Sequence, residues 1–362
     1  MRSNIYKHIS FASCSNLCKY RFRKEFLIDF ACIPNTKQLD SYLQYLIREL
    51  EDIANNKINV EVNDVNISFN VHLLGSFGDI PSVAEVNFLN SHTSKLGCRF
   101  CTIEGECINH VVCFSKPTSH PNRIRIKSIE EYKNGNPAAG IKKPSLFRNL
   151  PSFIHPTFIG LDEFHIFGQN IGPQIKKFFS LYKESIFYLK PSYCELIGDC
   201  ISENAKFMPL IFEGNLVDVF RYSGKSRGVD WLVFLKYFVG TVLLDYVGYN
   251  KTLPNETIRE ATEALQCISL ICSVSLQQNI NDEEIQKLDN LVTLWHNFLR
   301  KYMPPTLFTI NQHYLEHLGY VIKNMGPLRQ ISCRTLERRI HLLKSEINAC
   351  SNIEQNAENI II

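Results

Sequence analysis

Apolar and polar positions follow two rhythms along this chain, a period near two early on and a period near 3.6 later. Residues Glu25 to Ile33, EFLIDFACI, are apolar and partly β-branched and stop at Pro34-Asn35, which predicts a buried strand closed by a turn. From Leu39 to Ile53 the apolar residues Tyr42, Leu43, Leu46, Ile47 and Leu50 recur at helical spacing. Asp40 or Ser41 suits the N-cap, and Asn55-Asn56 suits the end. Val65, Ile67, Phe69, Val71 and Leu73 then alternate with polar neighbours, predicting a strand over Val65–Phe77 packed on one face and leading to Gly78-Asp79. Pro81 opens a short helix, Ser82–Leu89, because proline is tolerated in a first helical turn.

From His92 to Asn149 prolines and glycines break the pattern into loops. A basic cluster there, Arg123, Arg125 and Lys127, is expected at the surface. Beyond Leu161 the helical period takes over, in Ile175–Tyr188, Leu216–Tyr222, Trp231–Tyr246, Thr257–Val274 and Glu283–Tyr302. No internal repeat is visible. The order predicts an α/β layer with a long all-α insertion: residues 1–160 as the α/β part with a Cys-rich loop, 161–310 as the insertion, and 311–362 as closing helices.

Composition changes this picture little. With 362 residues and 45% apolar side chains the chain can bury a large core. Its 39 basic and 36 acidic residues leave a net charge of +3, so nucleic-acid contact has to be argued locally. The first residues, MRSNIYKHIS, carry no signal-peptide core, and the 13 cysteines read as thiols of a reducing compartment. Lys236 and Asp245 interrupt the most apolar stretch, Trp231–Tyr249, which reads as a buried helix; Cys267 and Cys272 read as small buried hydrophobes, and no membrane partner is expected.

Several residues carry candidate chemistry. Asp79, at the end of a predicted strand, suits a metal, or else a turn or helix cap. Cys98 and Cys101 form a CxxC that can seat two thiolates on zinc, or serve as a redox pair. Two further ligands can come from Cys107, His110 and Cys113 nearby, or from His313 and His317, one helical turn apart; the distant pair is favoured. Asp162 and His165 sit in an apolar stretch, GLDEFHIF, and need partners if buried. Glu337 lies at the edge of a stripe made by Leu336, Ile340, Leu343 and Ile347, flanked by Arg334, Arg338, Arg339 and Lys344. Those cations suit a phosphate backbone or a solvated face.

In this order the pieces resemble the CACTA (En/Spm) transposases, DDE enzymes with a ribonuclease H-like catalytic domain, over the whole chain. IPNTKQLDSYLQYLIREL and GDIPSVAEV resemble the segment and block around the family's second catalytic acid, which implies Asp79. CRFC, DEFH and RGVDW match its CxxC, its D/C-x-x-H signature and the Arg-x-x-(Asp/Glu)-Trp of its helical insertion. HYLEHLGYVIKNMGPLRQISCRTLERRIHLLK matches its His-rich helix, Gly-Pro and final Glu-Arg helix, implying Glu337 as the third acid. Cys98 follows Asp79 by 19 positions and Glu337 follows His317 by 20, as in the related antigen-receptor recombinase core. That layout implies zinc on Cys98, Cys101, His313 and His317, and leaves Asp162 and His165 as a signature without an assigned role.

The resemblance implies phosphoryl transfer at DNA ends by two Mg2+ or Mn2+ ions held by three carboxylates. The family's first aspartate lies on a first strand that this sequence does not contain. Its second strand is also not met, so the expected fold is an incomplete ribonuclease H-like sheet whose edge is EFLIDFACI; Asp29 lies on the third strand and is no substitute. The expectation is a transposase-derived, catalytically impaired fragment. It stands beside an active transposase completed upstream and a zinc-stabilised DNA-binding or protein-interaction module. DNA as partner, a nuclear site and a possible homo-oligomer rest on the resemblance alone.

Overall fold

A computed structural model describes residues 6–12, 27–34, 39–115, 124–209, 217–249 and 252–346; the side chains of 6–12, 27–34, 343, 344 and 346 are not among those described. Asn35, Arg123, Leu216 and Ile347 lie outside. The chain is mixed α/β and mostly helical, with small two-stranded antiparallel sheets.

Strand β1 (Tyr6–Ala12) pairs antiparallel with β2 (Leu27–Pro34). Of the expected edge strand Glu25–Ile33, the described part, residues 27–33, is paired on one side by β1, and Glu25 and Phe26 lie outside the described residues. Helix α1 (Leu39–Asn55) buries Leu39, Leu43, Ile47, Leu50 and Ala54, the three-to-four spacing of one apolar stripe. Asp40 falls inside its first turn and pairs with Lys143 at 2.6 Å instead of capping it.

The expected strand Val65–Phe77 is shorter and unpacked. Strand β3 (Ile58–Val62) and β4 (Val65–Phe69) form a hairpin turning at Asn63-Asp64, where both residues have positive φ. The register sets Ile58 against Phe69, Val60 against Ile67 and Val62 against Val65, so the apolar residues share one face, as their alternation requires. That face is largely open, with Phe69 42% and Val65 59% exposed. Residues 70–78 run irregularly, joined to the rest by a parallel bridge between Ser76 and Ile159. Gly78, at φ +153°, turns the chain into α2 (Ile80–Val86).

Beyond lie β5 (Glu106–Ile108), β6 (Val111–Cys113) and α3 (Ile129–Asn134), the last begun by a capping box of Ser128 and Glu131. The helical part starts with a π-helical segment, Phe164–Ile171, that runs into α4 (Gly172–Ser180) and is followed by α5 (Pro191–Asn204). The helix expected over Ile175–Tyr188 stops at Ser180, and 217–227, where Leu216–Tyr222 was expected helical, is coil and turns. α6 (Gly228–Val233), a π segment (Phe234–Leu243) and α7 (Leu244–Gly248) form one helix. By length and composition it is apolar enough to cross a bilayer, yet it buries Leu235, Val239 and Leu243 inside the protein. Arg227 of the RGVDW motif caps it by gripping Asp230 at 2.9 Å. A Cβ on Gly168 would meet the Gly228 carbonyl at 2.8 Å, so only glycine permits the π segment to lie this close.

Helices α8 (Asn255–Ser275) and α9 (Asp282–Tyr302) pack together. Asn281 and Glu284 box the start of α9, whose first turn is acidic and last turn basic, matching the helix dipole. Then come α10 (Ile310–Leu315), α11 (Leu318–Met325) and α12 (Arg334–Glu346). There are two main cores. The smaller joins α1, α2, α3 and the loops to Ile159. The larger is helical, and Cys98, Phe100, Cys101, Ile103 and Phe114 of the Cys-rich loop plug into it.

Candidate metal centre

Cys98 and Cys101 are held on a knuckle of chain whose backbone is fixed from several sides. The N–H groups of Phe100 and Cys101 both point at Cys98 Sγ, at 3.3 Å. The carbonyl of Cys98 accepts from Lys127 Nζ at 2.5 Å, that of Phe100 from the Lys127 N–H at 2.8 Å, and that of Arg99 from the Tyr132 hydroxyl. Lys127 is 2% exposed, so the expected surface placement is corrected for it; Arg125 stays outside and pairs with Glu131.

His313 and His317 arrive from the far end of the chain. They do not share one helix as expected: α10 ends at Leu315, and His317 is the N-cap residue of α11. Both Nε2 atoms still converge on the cysteines. Cys98 Sγ to His317 Nε2 is 3.4 Å, Cys101 Sγ to His313 Nε2 is 3.2 Å, the two sulfurs are 3.6 Å apart and the two nitrogens 3.1 Å. Zn–S bonds of about 2.3 Å and Zn–N bonds of about 2.0–2.1 Å set tetrahedral edges of about 3.8 Å for S–S, 3.4 Å for N–N and 3.6 Å for S–N. The observed edges fall within a few tenths of an ångström, and all four residues are buried. Phe114 stacks on His313 and Phe100 leans on His317, closing the walls. The donor set fits zinc.

The electrostatics agree with an ion site. Burial opposes the Cys98 thiolate, but the Cys101 thiol that hydrogen-bonds to it and the charges of His317 and His313 hold Cys98 well below the ordinary thiol range. Cys101, donating to that thiolate, is pushed far up. Burial opposes the His313 cation, yet Cys98 and Glu316 raise it to about 9. Zinc would displace these protons and hold both thiolates. Glu316 stands behind: its carboxylate lies 3.2 Å from His313 Nδ1 and 3.1 Å from both His296 Nδ1 and Arg300 Nη2. Such a carboxylate orients a ligating histidine. Cys107, His110 and Cys113, on the β5–β6 hairpin and its turn, do not join the cluster.

Asp162 and His165 meet Glu337 at a second cluster. Asp162 is 1% exposed; its Oδ1 accepts the N–H groups of Phe164 and His165, and its Oδ2 takes His165 Nδ1 at 2.7 Å. His165 Nε2 lies 3.3 Å from Glu337 Oε1. Burial disfavours the His165 cation, but Asp162 and Glu337 outweigh it and raise the group to about 10. Glu163, fully buried, grips Arg334 Nε at 2.7 Å and accepts from Ser332 Oγ at 2.8 Å, fastening the start of α12. Ligand atoms of Asp162, His165 and Cys333 lie within 4.8 Å of one another. Asp79 is elsewhere: half-buried, it caps α2 by accepting the Ser82 N–H at 2.7 Å. Among the described residues, neither metal-ligating cluster includes Asp79 or Glu337.

Sequence reasoning missed Glu316, Lys127, Glu163 and Cys333. Glu316 had a signal, since HYLEH sets a carboxylate three positions after His313. Lys127 and Cys333 had none, because only the tertiary fold brings them to these clusters. No protein-family model matches this chain, and no curated protein matches it.

Proposed function

We propose that this protein is a transposase-derived core of the CACTA type, ribonuclease H-like in plan, stapled by zinc, which binds DNA and cleaves it little or not at all. The observation that carries the reading is the meeting of CxxC and the His pair. Cys98–His317 and Cys101–His313 contacts span 219 and 212 positions with zinc-sized edges, the ligand set that the sequence reading favoured and the resemblance implies. The α/β order, a parallel bridge at Ser76–Ile159 beside Asp79, and the joining of DEFH to the Glu337 helix support the same plan.

In this reading Cys98, Cys101, His313 and His317 hold zinc, which ties the Cys-rich loop to the closing helices. Zinc there supplies a structural cross-link. Asp79 and Glu337 stand as the second and third acids for Mg2+ or Mn2+, with the cationic α12 residues Arg338 and Arg339 facing phosphate. Without a first acid to bridge both ions, two carboxylates organise two-ion chemistry poorly, which is why weak cleavage is expected. The nucleus is the matching location.

One observation favours a second reading, a zinc-stabilised module that docks another protein: the open apolar face of the β3–β4 hairpin. Zinc content, DNA binding across salt and nicking of supercoiled plasmid, in wild type, Cys98→Ser and Asp79→Ala, separate the two. One zinc per chain, lost in Cys98→Ser, with steeply salt-dependent DNA binding and little nicking is expected. Zinc without DNA binding at low salt would transfer the case to the docking module, and nicking abolished by Asp79→Ala would overturn the impaired-catalysis part.

A further inference from the structure

His165 and His313 are built alike. In each, a carboxylate stands behind Nδ1: buried Asp162 Oδ2 hydrogen-bonds His165 Nδ1 at 2.7 Å, and partly buried Glu316 Oε2 lies 3.2 Å from His313 Nδ1 without an aligned hydrogen bond. In each, Nε2 points away from that carboxylate towards another ligand-type atom. For His313 these atoms are a cysteine sulfur and a second imidazole, 3.2 and 3.1 Å away. For His165 the atom is Glu337 Oε1 at 3.3 Å. A carboxylate behind an imidazole fixes its tautomer and leaves Nε2 as the ligand atom, the usual outer support of a metal-bound histidine.

His165 Nε2 is also buried without a hydrogen-bond partner. Glu337 Oε1 is close to it but misaligned for sharing a hydrogen. Two ligand atoms bonded to one ion at about 2.1 Å stand about 3.0 to 3.4 Å apart, and the observed 3.3 Å lies in that range. The Glu337 side chain is 36% exposed, so an ion and its waters have a way in from one side, while the His165 ring is 4% exposed and closes the other. The mount is rigid. Asp162 spends Oδ1 on two backbone N–H groups, and Glu163 holds Arg334 and Ser332, setting the register of α12 against the DEFH segment.

We propose that His165 Nε2 and Glu337 together hold a first-row divalent transition-metal ion, with Asp162 as the support behind the imidazole, so that the DEFH segment is itself part of an ion site. The proposal rests on the reading of Glu337 as an ion ligand and adds a nitrogen ligand to it. A nitrogen donor shifts the preference of the site away from Mg2+, which takes oxygen ligands, towards ions such as Mn2+.

The test uses the full chain already loaded with zinc, so that the Cys-His site is filled, and Mn2+ as the probe. Pulsed electron paramagnetic resonance should show 14N coupling from a directly bound imidazole, absent in His165→Gln. Mn2+ affinity should fall about 10- to 100-fold in Asp162→Asn, the range for loss of an outer support, and at least as far in His165→Gln and Glu337→Gln, with zinc content unchanged. Mn2+ that is lost in Glu337→Gln but shows no 14N coupling in wild type would overturn the role of His165 and leave Glu337 as an ion ligand. Mn2+ affinity unmoved by Glu337→Gln would overturn both. Should His165→Gln lose its zinc through misfolding, the wild-type 14N signal and the Asp162→Asn affinity still decide.

Discussion

The α8 helix and the β3–β4 hairpin are both amphipathic, and they meet opposite fates. In α8, Leu265, Ile268, Ile271 and Cys272 are fully buried. In the hairpin, Val62, Val65, Ile67 and Phe69 remain between 42% and 59% exposed. A helix closes its own backbone hydrogen bonds and needs only a neighbour for its stripe, which α9 and the π-containing helix supply. A two-stranded hairpin satisfies half its edges and has no layer of its own to cover its face. The strand-bearing part is therefore held by other means: a small aromatic core under α1, and the Cys-rich loop pinned to the helices.

Removing that pin should break the comparison most severely. Chelation, or Cys98→Ser, should abolish the cooperative melt or lower its midpoint by well over 10 °C, because structural zinc contributes on the order of 10 kcal/mol to folding in small sites. A chelated protein melting within about 2 °C of the loaded form, a shift worth roughly 1 kcal/mol in a chain this size, would mean the four ligands stay together without an ion. Next comes the helical core itself. Trp295 is fully buried and donates from Nε1 to Gln312 Oε1 at 2.8 Å, so Trp295→Ala opens a cavity and orphans an amide. A loss of about 3 to 5 kcal/mol by denaturant titration is expected. A loss below about 1 kcal/mol would show that the helical part is less tightly packed than its burial indicates.

What the sequence disclosed divides along the same line. The helical period placed α1, α8 and α9 within a few residues, because a buried stripe at three-to-four spacing has one meaning. The period-two run at Val65–Phe77 revealed a strand but not that its face would be open, since alternation records which residues share a face and says nothing of what covers it. The helix end after Ser180 was missed because apolar residues continue to Tyr188, although of these only Phe187 is buried in the core and Leu181 is 60% exposed. The candidate metal centre was readable as two ligand pairs, with the distant His pair favoured over Cys107, His110 and Cys113, whereas their actual meeting is a product of the tertiary fold. The meeting of His165 with Glu337 was beyond any local pattern.

The hairpin sharpens the contrast from the other side. Ile67→Ser and Phe69→Ser remove apolar groups from an open face, so each should change stability by no more than about 0.5 kcal/mol while raising solubility. A cost above about 2 kcal/mol would mean the face is covered in solution, and the concentration dependence of the melt would then tell whether a second copy covers it.

A comparably small effect belongs to Glu131, which closes the capping box of α3 and holds Arg125, whose backbone pairs with Thr102 beside the Cys98–Cys101 knuckle. Its two oxygens accept from Arg125 at 2.6 and 2.8 Å, and it also receives Asn136 Nδ2 and the Ser128 N–H. The hydrogen bonds from Arg125, more than any other partner, lower the carboxyl to about 2 from an ordinary 4.5. A depressed carboxyl binds its proton less tightly folded than unfolded, so its contribution is complete above 4.5 and is lost as pH falls from there towards 2. Because Arg125 is 58% exposed, solvent screens the pair, and Glu131→Gln should cost only about 0.5 to 1 kcal/mol at neutral pH, mostly from the cap. That difference between wild type and variant should shrink as the melt is repeated from pH 5 down to pH 3. A gap that stays constant would assign the cost to the cap's shape, and a gap that widens would reverse the sign of the linkage.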